Sequence, residues 1–525
     1  FCTKNISIRH FLYYIYCHNS FFLFLHISLD FYFASDICQF EKVENMNYRF
    51  KTVPYRHQLK ALECSWNKTD YAYFMEMGTG KSKVCIDNIA ILYDNGYIDS
   101  ALIVAPKGVY HNWKNQELPI HLPDHINANI VCWTPTPNKK EQAALDSLFV
   151  INDNLTIFLM NIESFSTSKG HDFAYKFLLG HRCLMAIDES TTIKAPTASR
   201  TKNALKLRSL AKYRRILTGS PVTKSPLDLY TQCHFLDPDL LDFSSYWAFK
   251  NRYALMASRK AAGGSHTYSH VIKYVRLDEL NEKLDKFSIR VLKEDCLDLP
   301  DKVYMKRTVS LTPEQQKAYY EMKKFAFAEL SDGTMTAFSA LTQLMRLHQI
   351  TCGHVTTDDG QVKELKNNRL SELLSILEET NDKIIIWANY RYDIRTITRA
   401  LQKKYGKEST ASLYGDTPMA DRDQIIHDFQ DKNSDLRYLV SNPKTGGYGL
   451  TLTASHTVIY YSNSYDLEVR LQSEDRAHRI GQTSKVTYID LIAEKTVDEH
   501  IVKSLRSKIN IATQVLGEDL KKWLI

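Results

Sequence analysis

Short, nearly unbroken apolar runs alternate along this chain with longer stretches in which apolar residues recur every three or four positions. The runs read as strands buried on both faces, and the stretches as helices that cover them. That alternation predicts parallel sheets of the α/β kind. In the first half the expected strands are Tyr71–Met77, Ala101–Ala105, Thr156–Met160, Cys183–Ile187 and Arg215–Thr218. In the second half they are Lys383–Trp387, Arg437–Ser441, Val458–Tyr461 and Val486–Ile492. The stretch Lys81–Tyr93 carries Val84, Cys85, Ile89 and Leu92 at helical spacing and stops at Asn95-Gly96. Between the two groups of strands, residues 237–299 are richer in aromatic and charged side chains and read as helices around Ala262-Gly263-Gly264-Ser265. The expected organisation is a first lobe at 46–236, a helical insertion at 237–299, a helical junction at 300–366 and a second lobe with closing helices at 367–525.

Bulk properties narrow this picture only a little. The length of 525 residues suits two or three domains, and no repeat or low-complexity tract is present. A net charge of +7 is compatible with a polyanionic partner without requiring one. The 10 cysteines are scattered with no Cys-x-x-Cys pair, so neither a zinc site nor a disulfide framework is suggested, and we expect reduced thiols in a cytoplasmic protein. Residues 1–45 are crowded with Phe, Tyr and Ile, but Cys17-His18-Asn19-Ser20, His26 and Asp30 interrupt every run long enough to span a bilayer. We read them as an extension foreign to the native protein or disordered, with Met46 as the start.

Three elements carry candidate chemistry. The first is Met77-Gly78-Thr79-Gly80-Lys81-Ser82-Lys83, at a strand-to-helix junction. Glycines let backbone N–H groups approach phosphate oxygens, the helix N-terminus adds positive dipole, Lys81 reaches the outer phosphates and the Ser82 hydroxyl suits magnesium. The strict phosphate-loop pattern would have Gly where this chain has Met75. The second is Asp188-Glu189 at the end of the run Cys183–Ile187, where Asp188 would hold the metal and Glu189 would orient or deprotonate water. The bland reading is a strand ending in an acidic turn. The third is Gln472–Gln482, in which Arg476 and Arg479 share one face if the segment is helical and can act as fingers on a γ-phosphate. Alternatively, Glu474 and Asp475 pair with them on a solvated helix. One sheet is too small to supply all three elements, so the economical arrangement is an ATP cleft between two lobes.

The chain resembles helicase superfamily two, and more closely its Swi/Snf-type ATPases, from about Tyr48 to Leu516. Tyr55-Arg56-His57-Gln58 resembles the adenine-reading Q motif, Met75–Lys83 motif I, Leu102–Pro106 with Asn112-Trp113 motif Ia, and Asn161–Ser164 motif Ib. Leu217–Pro221 resembles motif III, Lys383–Trp387 motif IV, Gly446–Thr453 motif V, and Gln472–Gln482 motif VI. The string Asp475–Gln482 is the most specific of these. Motif II reads Asp188-Glu189-Ser190-Thr191 where the family has Asp-Glu-x-His, which puts the coupling of nucleotide state to motif III in question.

The resemblance implies two RecA-like parallel-sheet lobes and the cofactors ATP and magnesium. It implies adenine recognition by Gln58, phosphate binding by Gly78, Thr79, Gly80 and Lys81, and backbone contacts from Pro106, Lys107, Ser441 and Gly447 to nucleic acid, most suitably double-stranded DNA. Compact motors encoded by bacteriophages look most similar overall. The expected function is an ATP-driven duplex translocase. A strand-separating DNA or RNA helicase is one alternative, and a nucleic-acid-binding ATP sensor without turnover is another. The basic run Arg200, Lys202, Lys206, Arg208, Lys212, Arg214 and Arg215 reads equally as phosphate contacts or as a solvated face.

Overall fold

The computed structural model describes residues 48–107, 109–150, 152–260, 267–331, 337–446 and 450–518. The extension at 1–45 and the Gly-rich tip at 262–265 lie outside the described residues. The first lobe is a sheet of β1 (Asp70–Met75), β2 (Ser100–Ala105), β3 (Ala128–Cys132), β4 (Leu155–Asn161), β5 (Cys183–Asp188), β6 (Tyr213–Leu217) and β9 (Ser288–Val291), with β7 (Ala254–Lys260) and β8 (Thr267–Tyr274) set apart as a hairpin. Its order is β3-β4-β2-β5-β6-β1-β9, and every pairing is parallel. All six residues of β2 and all six of β5 are buried, which is why they read as continuous apolar runs.

The second lobe holds β10 (Lys302–Val309), a small antiparallel pair β11 (His354–Thr356) and β12 (Val362–Glu364), then β13 (Lys383–Trp387), β14 (Thr410–Leu413), β15 (Tyr438–Ser441), β16 (Ser455–Tyr460) and β17 (Val486–Ala493). Its parallel sheet runs β10-β17-β16-β13-β15-β14.

Three features differ from the expected organisation. Residues 237–299 are not purely helical. They contain the β7–β8 hairpin, and their last strand, β9, joins the first sheet beside β1. The second sheet begins at β10, inside the segment expected to be a helical junction. That strand is an edge with only Tyr304 and Val309 fully buried, so its apolar signal is weak. Finally, the helix Val497–Val515 does not stay within the second lobe. Val497, Ile501, Leu505 and Ile509 pack in that lobe's core, whereas Val515 with Ile511 and Leu516 packs in the core of the first. Just beyond, Glu518 accepts a hydrogen bond from the Arg290 Nε–H of β9 at 2.7 Å.

The chain crosses between lobes beside the phosphate loop. The Glu76 N–H donates to the Val291 carbonyl at 2.9 Å, and the Lys293 N–H donates to Glu76 Oε2 at 2.9 Å. Among the described residues no helix is long and apolar enough to cross a membrane, no cluster of three metal-ligating side chains occurs, and every described cysteine is a free thiol.

Candidate active site

β1, β5 and β6 lie side by side, so their carboxyl ends bring residues 76–80, 188–191 and 218–220 to one edge. The first of these segments is the candidate phosphate loop. Gly78 (φ 83°) and Gly80 (φ 89°) both adopt the left-handed conformation that glycine tolerates, and Gly80 starts the helix Lys81–Asp94. Gln58 holds the loop from behind. Its Nε2–H donates to the Thr79 carbonyl at 3.0 Å, while its Oε1 accepts the Tyr55 N–H at 2.9 Å. A Cβ on Gly80 would fall 2.1 Å from Gln58 Nε2. His57 Nε2 lies 2.7 Å from the same Thr79 carbonyl, and its ring stacks on Tyr55. Gln58 therefore fixes the loop, and its reading of adenine stays a proposal. Lys81 is buried at the loop's end and Ser82 half-buried beside it.

Asp188 ends β5 and Glu189 follows it. Asp188 Oδ1 accepts the Glu189 N–H at 3.0 Å, and Oδ2 accepts the Trp113 indole N–H at 2.9 Å. Glu189 is a non-glycine residue with positive φ (49°), a conformation retained only where the surroundings enforce it. Its Oε2 accepts from the Thr218 hydroxyl at 3.4 Å, joining motifs II and III. Burial pushes both carboxyls above the ordinary range. Lys81 pulls each back down, and for Glu189 the neighbouring Asp188 and Glu468 add to the rise.

Trp113 and Glu117 were not singled out as site residues from the sequence. They open and close a π-helical turn, Trp113–Glu117, of the kind that often marks functional positions. Glu117 is raised by burial and by Asp188, and lowered by Lys81, Arg479 and a hydrogen bond with Ser82, so it faces the same space. The string Asn112-Trp113 marked the region, but nothing in it pointed the indole at Asp188.

The arginines arrive on a turn. The helix Leu467–Glu474 ends before them, so the expected helical face is replaced by a loop in which both side chains converge on one acceptor. Nη1 of Arg476 donates to the Leu450 carbonyl at 3.2 Å, and Nη1 of Arg479 to the same carbonyl at 3.1 Å. Glu474 and Asp475 are committed elsewhere. Glu474 binds Arg470 at 2.8 Å and the Tyr304 hydroxyl at 2.8 Å, and Asp475 binds Lys293 at 2.7 Å.

The two lobes meet here. The Arg479 Cβ lies 3.9 Å from where a Cβ on Gly78 would stand. The charge of Arg476 acts on Glu189, and that of Arg479 on Glu117. Burial lowers the Arg479 pKa. A cavity of about 300 Å³, lined in part by Glu76, Met77, Gly219, Lys293, Asp475 and His478, opens along this junction.

The expected nucleic-acid residues fare differently. Pro106 and exposed Lys107 follow β2 at the same carboxyl edge. Ser441 is turned inward: it is fully buried and donates to the Leu413 carbonyl at 2.5 Å, so a phosphate could not reach its hydroxyl without breaking the β14–β15 edge. Gly447 lies outside the described residues. The basic run is partly structural. Arg215 is fully buried and donates to the Asn88 side chain and to the Ser65, Lys68 and Thr69 carbonyls. Arg214 pairs with Asp70, and Arg208 with Asp237. Only Lys202, Lys206 and Lys212 of that run are exposed.

For magnesium, the donors at hand are hard oxygens: the Ser82 hydroxyl and the Asp188 carboxylate, with Glu117 beside them. Such an incomplete oxygen set fits an ion that takes its remaining ligands from phosphate and water.

The SNF2-related domain matches residues 66–356, and the helicase conserved C-terminal domain matches 365–481. The chain belongs to the SNF2-related family. Together the two domains are those of a helicase-superfamily ATPase. This SNF2-related chain is 26% identical over 464 residues to YwqA of Bacillus subtilis (strain 168), provisionally named an ATP-dependent helicase/translocase, covering 86% of this chain and 46% of that one. It is 26% identical over 477 residues to the human SWI/SNF-related matrix-associated actin-dependent regulator of chromatin subfamily A member 1, covering 84% and 41%. It thus spans under half the length of each of these relatives. A SWI2/SNF2 ATPase core from Sulfolobus solfataricus, solved with double-stranded DNA, aligns over 90% of this chain and 98% of that one, at 22% identity and a TM-score of 0.39.

Proposed function

We propose that this SNF2-related protein is an ATP-driven motor that hydrolyses ATP with magnesium and moves along double-stranded DNA. The observation that carries the reading is the convergence of Lys81, Asp188 and Glu189 from the first lobe with Arg476 and Arg479 from the second at one cleft. Gly78, Thr79, Gly80 and Lys81 bind the phosphates, and Gln58 fixes their loop and reads adenine. Ser82 and Asp188 hold magnesium, which supplies charge neutralisation on the phosphates. Glu189 orients the attacking water and takes its proton, while the arginines balance charge that develops as the bond to the γ-phosphate breaks.

Neither lobe alone contains this set, so turnover depends on closure, and repeated closure is what a translocase needs. The duplex preference draws on the family resemblance. Lys107 at the carboxyl edge is the local candidate for a phosphate contact. The likeness to compact bacteriophage motors belongs to this proposal and rests on the look of the sequence alone.

The test is ATPase rate with duplex DNA, single strands and RNA, together with displacement of a triplex-forming strand. Duplex stimulation with triplex displacement is expected. Stimulation by RNA alone would transfer the reading to an RNA helicase. Tight ATP-dependent binding without turnover would make the protein a clamp.

A further inference from the structure

The helix that delivers the arginines also reaches across the cleft at its other end. Glu468, in the first turn of Leu467–Glu474, accepts from the Thr191 hydroxyl at 2.7 Å and from Lys194 Nζ at 3.1 Å. Both partners belong to the first lobe. Thr191 lies on the short turn Ser190–Ile193, directly after Asp188 and Glu189, and Lys194 follows that turn. The bridge is sheltered, with Thr191 buried and the Lys194 and Glu468 side chains 20% and 17% exposed. Lys194 is also anchored to the loop after β6 through the Thr223 hydroxyl at 2.6 Å.

Thr191 stands where the family's motif II has His. Its neighbour Ser190 turns the other way, into the first lobe, and donates to Gln232 at 2.7 Å. The left-handed Glu189 is thus flanked by two fixed points. Upstream, Trp113 holds Asp188 within the first lobe. Downstream, Glu468 holds Thr191 from the second lobe. Only the downstream point depends on how the lobes are arranged.

We propose that Thr191, Lys194 and Glu468 form an interlobe latch that sets the catalytic turn when the cleft closes, so that Glu189 is correctly placed only when the second lobe is docked. These are positioning residues: Glu468 acts on chemistry through the turn it grips. The inference rests on the ATPase reading above and adds the device by which lobe position is reported to the catalytic base in a chain whose motif II lacks His.

The test uses the full chain with Thr191→Val, Glu468→Gln and the double substitution, each checked for an unchanged melting temperature. Duplex-stimulated kcat is expected to fall about tenfold in each single variant while the KM for ATP moves by less than about twofold, the size set by losing a charge-assisted hydrogen bond. The double variant should fall less than the product of the single losses, because both changes weaken the same Thr191–Glu468 contact. Thr191→Ser, which keeps the hydroxyl, should recover most of the rate. A second readout is the distance between dyes on the two lobes with a non-hydrolysable ATP analogue, where Glu468→Gln should lower the closed fraction. Multiplying losses in the double variant, or wild-type closure and rate in Glu468→Gln, would overturn the latch. If the unsubstituted protein shows no turnover with any nucleic acid, the ATPase reading fails, and the dye distance still decides whether the bridge controls closure.

Discussion

In the first lobe the groups that face the cleft terminate strands, whereas in the second they sit on a turn that follows a helix. Asp188 is the last residue of β5, and the phosphate loop leaves β1 directly, so their positions inherit the rigidity of a buried sheet. Arg476 and Arg479 lack that support and are held by sharing the Leu450 carbonyl. Their helix is fixed instead by a buried charge cluster in which Arg470 binds Asp490 at 2.5 Å and Glu474 at 2.8 Å. One lobe presents a cradle built on strand ends and the other a pair of cations held on a turn. On the proposed function, the contrast would assign nucleotide binding and water activation to the first lobe and transition-state charge balance to the second.

The sharpest break of this contrast is a pair of alanine substitutions. Arg479→Ala is expected to lower kcat by about 10³–10⁵-fold while ATP affinity stays within a few-fold, measured by single-turnover hydrolysis beside equilibrium binding of a fluorescent ATP. Lys81→Ala should lose about 10³-fold in rate and weaken binding as well. Equal losses of binding in the two variants would erase the division of labour.

Next in size is Arg470→Met, which strands Asp490 in the second lobe's interior and leaves Glu474 with Lys302 as its remaining cation. It should cost about 3–5 kcal/mol by denaturant unfolding, because a carboxylate left buried without its cation is heavily penalised. Trp113→Phe keeps the bulk of the ring but removes the donor to Asp188. A drop of about 10- to 100-fold in activity is expected, with more magnesium needed to half-saturate nucleotide binding.

The smallest effect sharpens the comparison at the second lobe's core. Burial lowers the His348 pKa from 6.5 to about 4. Between those values the unfolded chain takes up a proton that the folded one refuses, so stability falls as pH drops through the window. His348→Asn should flatten that slope by up to one proton, read from melting temperatures across the window.

The sequence announced most of the sheet framework because buried parallel strands are continuous apolar runs: β13 is found at Lys383–Trp387, as expected. It hid β10, half of whose residues are fully exposed, and the hairpin β7–β8, which stands apart from both main sheets. The phosphate loop, the acidic pair and the two arginines were legible because chemistry fixes their residue types. Trp113 was not, since an indole at position 113 reads as core until the fold sets it against Asp188. Likewise, a crowd of arginines reads as surface until Arg215 is seen fully buried and capping backbone carbonyls.

The route taken by the chain between the lobes has a mechanical consequence. Among the described residues two straps join them: the segment after β9, and the helix Val497–Val515, beyond which Glu518 meets Arg290. Both are anchored on the same short strand, next to the nucleotide cradle. Two fixings define a line, and a body hung from a line swings like a gate. A gate pivoted beside its latch turns a slight tilt at the phosphates into the widest sweep at its far rim, where a stride along a polymer would be taken.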